Sequence, residues 1–529
     1  MELGELELGP IELVLGLFVA IVALAYLARR VGVAYPILLV AGGLVLGFVP
    51  GLPSIELEPD VVFLLLLPPI LFGAAYSTPI RDIRANARPI ALLAVGLVLF
   101  TTVVVAIVVN TLVPSIGWFQ ALALGAIVAP PDAVAATSIF RRIGAPPRIV
   151  TILEGESLVN DASALIAYRF AVAAALTGVL VIADAGLAFV YVALGGVLIG
   201  LLVGFLVTEA WDRTGDPTLE IMVSLLAPFA AYLPAEALGV SGVLAVVVAG
   251  LIAGRRAARA LSPNARLMGR SVWNIVIFMI NGLAFMLIGL QLPSIVEHLT
   301  AWSWEELLGL GLAVSLTVIL ARIVWVFPAT YIPRLASARL RARDPSPPAA
   351  AVFVVSWAGM RGAVSLAAAL ALPIDPVAFP ERDLMIFLAF CVIIATLVGQ
   401  GLTLPWLVRR LGVVPSTGQG AEETHARLAA VEAAIGRLNE LAEQYPGHLE
   451  LVDQMRARYD HEANHMWPHT EGPRDAVEQE ALDHLEIRTA VLDAEREAVI
   501  RLRDEGIISD EVLHSIEQDL DLEALRSGI

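Results

Sequence analysis

The chain has 529 residues, 58% of them apolar, a mean hydropathy of +0.79 and a formal net charge of −17. Soluble domains lie nearer about 45–50% apolar, so this composition excludes a purely soluble protein. The single cysteine, Cys391, excludes an internal disulfide and lies in an apolar run, where a small buried residue is expected.

The acidic opening MELGELELGP lacks the basic start of a signal peptide, so the first apolar run predicts a retained membrane helix. A span needs about 20 mostly apolar residues, because the hydrocarbon core is about 30 Å thick and a helix rises about 1.5 Å per residue. Thirteen stretches qualify: 11–28, 34–51, 61–77, 90–113, 117–139, 150–176, 181–207, 218–235, 239–254, 271–291, 304–332, 350–372 and 383–408. The run 239–254 is short, which predicts a tilted, broken or longer helix. Residues 1–414 form the expected membrane domain, and 415–529 an acidic cytoplasmic tail. The tail holds 26 Asp and Glu against 10 Arg, whereas the first 414 residues hold 25 against 24. An acidic tail argues against nucleic acid or anionic lipid as its partner.

Arginines fall in alternate loops. Arg81, Arg84 and Arg88 lie between segments 3 and 4, Arg141, Arg142 and Arg148 between 5 and 6, and Arg334, Arg339, Arg341 and Arg343 between 11 and 12. The other loops carry acids, among them Glu56, Glu58, Asp60, Glu236 and Asp375. Arginine-rich loops face the cytoplasm. The alternation predicts thirteen spans, with the N-terminus outside, the C-terminus inside and the chain in the cell membrane. Segments 1–6 and 8–13 then run in opposite directions. The fifth of each set carries helix breakers, Pro130 and Pro131 in one and Gly359 and Gly362 in the other. Breaks in corresponding segments of inverted halves point to a transport site near mid-membrane.

Charge inside a membrane is costly, so intramembrane ionisable groups are functional candidates. Asp132 follows the proline pair. Asp161 lies eleven residues into segment 6, roughly 16 Å along the helix and near the midplane. Ser157 and Asp161 share one face, and Glu156 and Asn160 the next. Arg361 lies at similar depth in segment 12 and is expected to compensate Glu156, leaving Asp161 free to titrate. Asp132, Asp161, Asn160 and Ser157, with carbonyls freed at the break, offer the oxygens that Na+ requires. Desolvation favours the neutral carboxyl, so a proton competes with the cation for the same site. Arg169, Arg322 and Glu220 are expected in structural pairs, and Asn274, Asn281 and Gln291 in hydrogen bonds between helices.

Pro130-Pro131-Asp132-Ala133-Val134, the GESLVND block from Gly155 to Asp161 and the SWAGMRGAVSLA block from Ser356 to Ala367 resemble the signature blocks of the cation:proton antiporter-1 family of sodium/proton exchangers. The resemblance covers the membrane domain. It implies an all-α polytopic fold of about thirteen transmembrane helices, in two inverted six-helix repeats with discontinuous crossing helices, and a homodimer with dimerisation and mobile core domains. It implies that Asp161 is the essential carboxylate, that Asn160, Ser157 and Asp132 line the site, and that Glu156 pairs with Arg361. An Asn-Asp pair further implies electroneutral exchange of one cation for one proton. Some members carry an acid after a Leu-Phe in segment 3. Here Leu71 and Phe72 are followed by Gly73, Ala74 and Ala75, so the full ligand set of those members does not transfer.

The reading is a secondary transporter exchanging Na+, with Li+ or K+ as alternatives, for H+ by alternating access. It sets intracellular pH and sodium and uses no cofactor. A K+/H+ antiporter or another proton-coupled carrier is the rival. The metal-hydrolase, serine-elbow and intramembrane aspartyl motifs of an enzyme are missing from the sequence. The tail predicts helices around 421–444, 474–505 and 508–526. It holds seven of the eight histidines, more simply read as part of a solvated helical domain than as a pH sensor or, at His461, His465 and His469, a metal face.

Overall fold

The computed structural model describes residues 10–49, 62–179, 182–297, 299–375, 377–413, 418–466, 474–505, 507 and 510–527. Among these no strand occurs, and helix is found in each of the thirteen apolar stretches, interrupted in 117–139 and 350–372. Nine helices among the described residues are long and apolar enough to cross a membrane. The short run at 239–254 is the helix Gly242–Ala260, lengthened by a last turn of arginines and alanines that hydropathy alone leaves out. The acidic loop with Glu56, Glu58 and Asp60 lies outside the described residues.

The chain divides into two compact units, Met1–Pro415 and Ser416–Ile529. In the first, the outward faces are apolar. The helix Ile182–Thr214 exposes Leu187, Leu194, Leu198 and Phe205, and Pro10–Val31 exposes Val19 and Val22. Such faces suit lipid, which offers helices no hydrophobic reason to associate, so small residues and polar contacts bind the bundle. Gly196 and Gly200 of Ile182–Thr214 lie one turn apart against Gly242–Ala260. A Cβ at either would come within 2.5 Å of a backbone oxygen, that of Ser241 or Ala245.

Buried side chains form two large groups. One gathers residues such as Ile37, Leu124, Phe140, Val318 and Phe387, and the other Phe72, Val203, Trp211, Val246 and Trp273. The helix Pro147–Thr177 belongs to both, with Leu153 and Tyr168 in the first and Leu158 and Ala162 in the second. The stretch 154–161 therefore spans the passage of this helix from the first group into the second.

Three helical stretches slip into π-turns, at Val62–Leu66, Leu92–Leu97 and Ala395–Gln400. Such turns free carbonyls that neighbours must satisfy. The Trp325 indole donates to the Leu92 carbonyl at 3.0 Å, and the Ser163 hydroxyl donates to that of Ala94. The π-turn at 92–97 is thereby tied to the helix Pro147–Thr177.

The second unit holds Gly418–Gln444, Leu449–Met466, Arg474–Asp504 and Asp510–Ser527. The helix Leu449–Met466 escapes sequence reading because, among its described side chains, Val452 is the one buried apolar residue, while Leu451 and Met455 face solvent. Of the tail histidines, His469 lies outside the described residues, as do the side chains of His425, His461, His465, His484 and His514.

Candidate functional site

Pro130 and Pro131 carry no N–H and cannot continue a helix hydrogen-bond ladder. Helix accordingly stops at Trp118–Val128 and restarts at Ala133–Ile143. Asp132 caps the restart: its Oδ1 accepts from the Val134 N–H at 2.8 Å. The second break falls between Ala349–Trp357 and Ala363–Leu370. The two interruptions hold each other, since the Asp132 N–H donates to the Met360 carbonyl at 2.6 Å. Gly362 is required there, because a Cβ would stand 2.0 Å from Asp132 Oδ2.

Arg361 lies within the second break and is buried. The structure corrects the expectation that it pairs with Glu156. Its Nε donates to the Val128 carbonyl at 3.0 Å, and its Nη2 to that of Ala129 at 3.4 Å, while Nη1 donates to its own segment at Gly359. The Arg361 N–H donates to Thr396 Oγ1 at 3.1 Å. Arg361 thus closes the orphan carbonyls at the C-terminal end of a half-helix, where a cation is favoured. Glu156 is taken by Arg322, in a two-pronged contact at 2.5 and 2.8 Å with both side chains buried. Arg322 also donates to the Val355 carbonyl. The geometry prefers Arg322 because its helix is continuous there and presents the guanidinium fork to Glu156, whereas Arg361 is consumed by the break beside it.

The helix Pro147–Thr177 lays its polar face on this crossing. Asn160 Nδ2 donates to the Pro131 carbonyl at 2.9 Å, and Ser157 Oγ accepts from the Ala133 N–H at 3.3 Å. Asp161, 7% exposed, borders a cavity of about 10 Å³ with Pro130, Tyr168, Val364 and Ala368. That volume approaches what one water needs. Among the described residues no hydrogen-bond donor or ion-pair partner reaches Asp161, and the Asn160 Oδ1 is enclosed without a donor. Two acceptors thus stand unmatched beside the breaks. The crossing holds three carboxylates (Asp132, Glu156 and Asp161) and two guanidiniums, which leaves one negative charge when all are ionised.

The proline and glycine breaks, Asp132, Ser157, Asn160 and Asp161 gather here. Arg322, Thr396 and the π-turns were not assigned to the site from sequence. The one available signal was the depth of Arg322 within its apolar run. Of the other polar residues, Arg169 pairs with Glu236 at 2.7 Å, Arg213 with Glu209 at 2.7 Å, and Glu220 accepts from the Ser262 N–H and hydroxyl at 2.9 Å, whereas the expected hydrogen bond of Asn281 is not made by its Nδ2, which is enclosed without an acceptor.

Residues 16–410 match the family described as sodium/hydrogen exchanger, transmembrane. An uncharacterized Na(+)/H(+) exchanger of Mycobacterium tuberculosis is 35% identical over 99% of this chain and 98% of its own. A sodium, potassium, lithium and rubidium/H(+) antiporter of Bacillus subtilis is 35% identical over 75% of this chain and 61% of its own. The fold is similar to that of the sodium proton antiporter MjNhaP1 from Methanocaldococcus jannaschii, with a TM-score of 0.61 at 20% identity, covering 76% of this chain and 98% of that one.

Proposed function

Because this chain is a multi-span membrane protein that belongs to the sodium/hydrogen exchanger family, we propose that it exchanges one Na+ for one H+ at Asp161 by alternating access. The observation that carries this reading is the unmatched carboxylate: among the described residues Asp161 has no hydrogen-bond donor or ion-pair partner, and the charge left over at the crossing is that of a single ion. A proton neutralises Asp161 directly. Na+ draws on Asp161, the Asn160 Oδ1 and, with small local movement, Asp132 and Ser157. Holding both ions at once would overcharge a buried site, so each displaces the other. Since either state is neutral, neither crossing of the membrane moves net charge.

The helix Pro147–Thr177, shared by two packed groups, supports a site carried on one body and exposed to either side in turn. We place the arginine-rich loops and the tail in the cytoplasm, the N-terminus outside and the protein in the cell membrane as a homodimer, where it sets internal pH and sodium. A wider cation range, including Li+ and K+, is the second reading. It is favoured by the 35%-identical relative named for sodium, potassium, lithium and rubidium.

The test is ion-driven acidification in proteoliposomes of purified protein, comparing Na+, Li+ and K+ with the membrane potential clamped at zero and at a large negative value. The account expects Na+ to drive exchange at a rate independent of potential. A rate that follows the potential contradicts one-for-one exchange, and K+ acting without Na+ contradicts the sodium assignment.

A further inference from the structure

At the arginine-rich end of the bundle, away from the crossing, the helices enclose a second cavity of about 450 Å³. Arg88 reaches it from Ala87–Ala91, Arg148 from the start of Pro147–Thr177, and Arg334 from the end of Trp304–Ala336. Its walls are largely apolar, including Leu92, Ile152, Val326, Val352 and Leu411.

The three guanidiniums share one carboxylate. Asp344 Oδ1 accepts from Arg148 Nη2 at 2.7 Å, and Oδ2 accepts from Arg88 Nη2 at 2.8 Å and Arg334 Nη2 at 2.7 Å. Three positive charges therefore meet one negative. Buried Arg334 completes its donors on the carbonyls of Asp344 and Thr330. Arg148 Nε is taken by the Asn86 side-chain oxygen at 3.0 Å. Arg88 is incomplete: its Nε and Nη1 are shut off from solvent and meet no acceptor.

Enclosed donors without acceptors are rare and costly, and although Arg88 Nε and Nη1 are closed to water, a small turn of the Arg88 head toward the cavity would let an occupant satisfy them. That occupant must be negative, to balance the two surplus guanidiniums, and must offer oxygens to a planar fork. It must also be larger than a bare oxyanion. The volume falls within the roughly 300–1,000 Å³ typical of small-molecule pockets, and the walls away from the arginines are hydrocarbon.

We propose that this cavity binds an amphipathic anion, with its oxyanion head on Arg88 and Arg148 and its apolar body along Leu92, Ile152, Val326 and Val352. An acidic phospholipid and a long-chain carboxylate share this chemistry. The site uses no ionisable group of the ion crossing, sharing with it only Val355, and stands whether or not the exchange assignment holds.

The test uses the full chain in neutral detergent. Native mass spectrometry reads bound ligand and thermal unfolding reads stabilisation, with four probes: phosphatidylglycerol, oleate, phosphatidylcholine and inorganic phosphate. Phosphatidylglycerol, oleate or both are expected to bind and raise the melting midpoint, and which of them does so identifies the source. Phosphatidylcholine and phosphate at matched concentration are expected to do neither. Arg88→Gln is expected to weaken binding by about tenfold or more, the scale of a lost charge-assisted contact. Ala351→Trp, which fills the apolar wall, is expected to weaken it while leaving the arginines in place. Asp344→Asn is expected to strengthen it by removing the competing charge, a direction that purely structural damage does not give. Phosphate binding as tightly as phosphatidylglycerol, or both Arg88→Gln and Ala351→Trp binding like the parent, overturns the proposal.

Discussion

Two aspartates of this protein have opposite surroundings. Asp344, in the turn before Ala349–Trp357, is held by Arg88, Arg148 and Arg334 at 2.7–2.8 Å. Burial alone would raise its pKa, but the hydrogen bond from Arg148 and the charges of Arg148, Arg334 and Arg88 outweigh it and hold the carboxyl below its ordinary value. Asp161, deep in Pro147–Thr177, has no donor or cation among the described residues. The same side chain is thus a fixed charge where the protein supplies its counter-ions and an exchangeable one where it does not. Glu156 repeats the contrast within one helix: five residues before Asp161, it is saturated by Arg322.

The sharpest way to break this contrast is to unfix the fixed pair. Arg322→Gln leaves Glu156 buried and unmatched, and removing one partner of a buried pair costs about 3–5 kcal/mol. The melting temperature of the purified protein should fall by many degrees. Unchanged melting would show that Glu156 has another compensating cation.

A smaller effect is expected where the two breaks meet. Gly362→Ala places a methyl group against the Asp132 carboxylate, which forces the crossing apart. Exchange should fall by about a hundredfold, the scale that ångström misplacement costs at other sites. Stability should change less than in Arg322→Gln, because no charge is orphaned. Initial rates at saturating and limiting Na+ check this, and an active Gly362→Ala protein would deny the close approach its role.

The smallest effect belongs to Asp344. Loss of its charged hydrogen bonds in Asp344→Asn should cost about 1.5–3 kcal/mol. A carboxyl whose folded pKa lies below its unfolded value, about 3.9, contributes stability that is complete above that value and lost as pH falls through the folded pKa. The parent and Asp344→Asn should therefore differ in melting temperature at pH 7 and converge below about pH 4. Curves that stay parallel in acid would contradict the fixed-charge description.

Much of this was legible in the amino-acid order because backbone chemistry is local. Two prolines without N–H groups weaken a helix ladder, and at 130–131 they stop it, although Pro68 and Pro69 are carried within the helical stretch 62–77. A polar face at 156–161 shows itself by its spacing. The partner of Glu156 was not legible. Arg322 and Arg361 both sit in apolar runs, and choosing between them requires knowing that Arg361 is spent on the Val128 and Ala129 carbonyls. The π-turns were hidden for the same reason, since the Leu92 and Ala94 carbonyls are answered by Trp325 and Ser163 from distant segments.

The most direct measurement is Na+-driven proton movement by Asp161→Asn protein in proteoliposomes, beside the parent at equal reconstitution and with folding checked by melting. Asparagine keeps the shape and removes the exchangeable charge. The account predicts no exchange above the level of empty vesicles, with melting close to that of the parent. Exchange at the parent rate would place the competing ions on another group and contradict it.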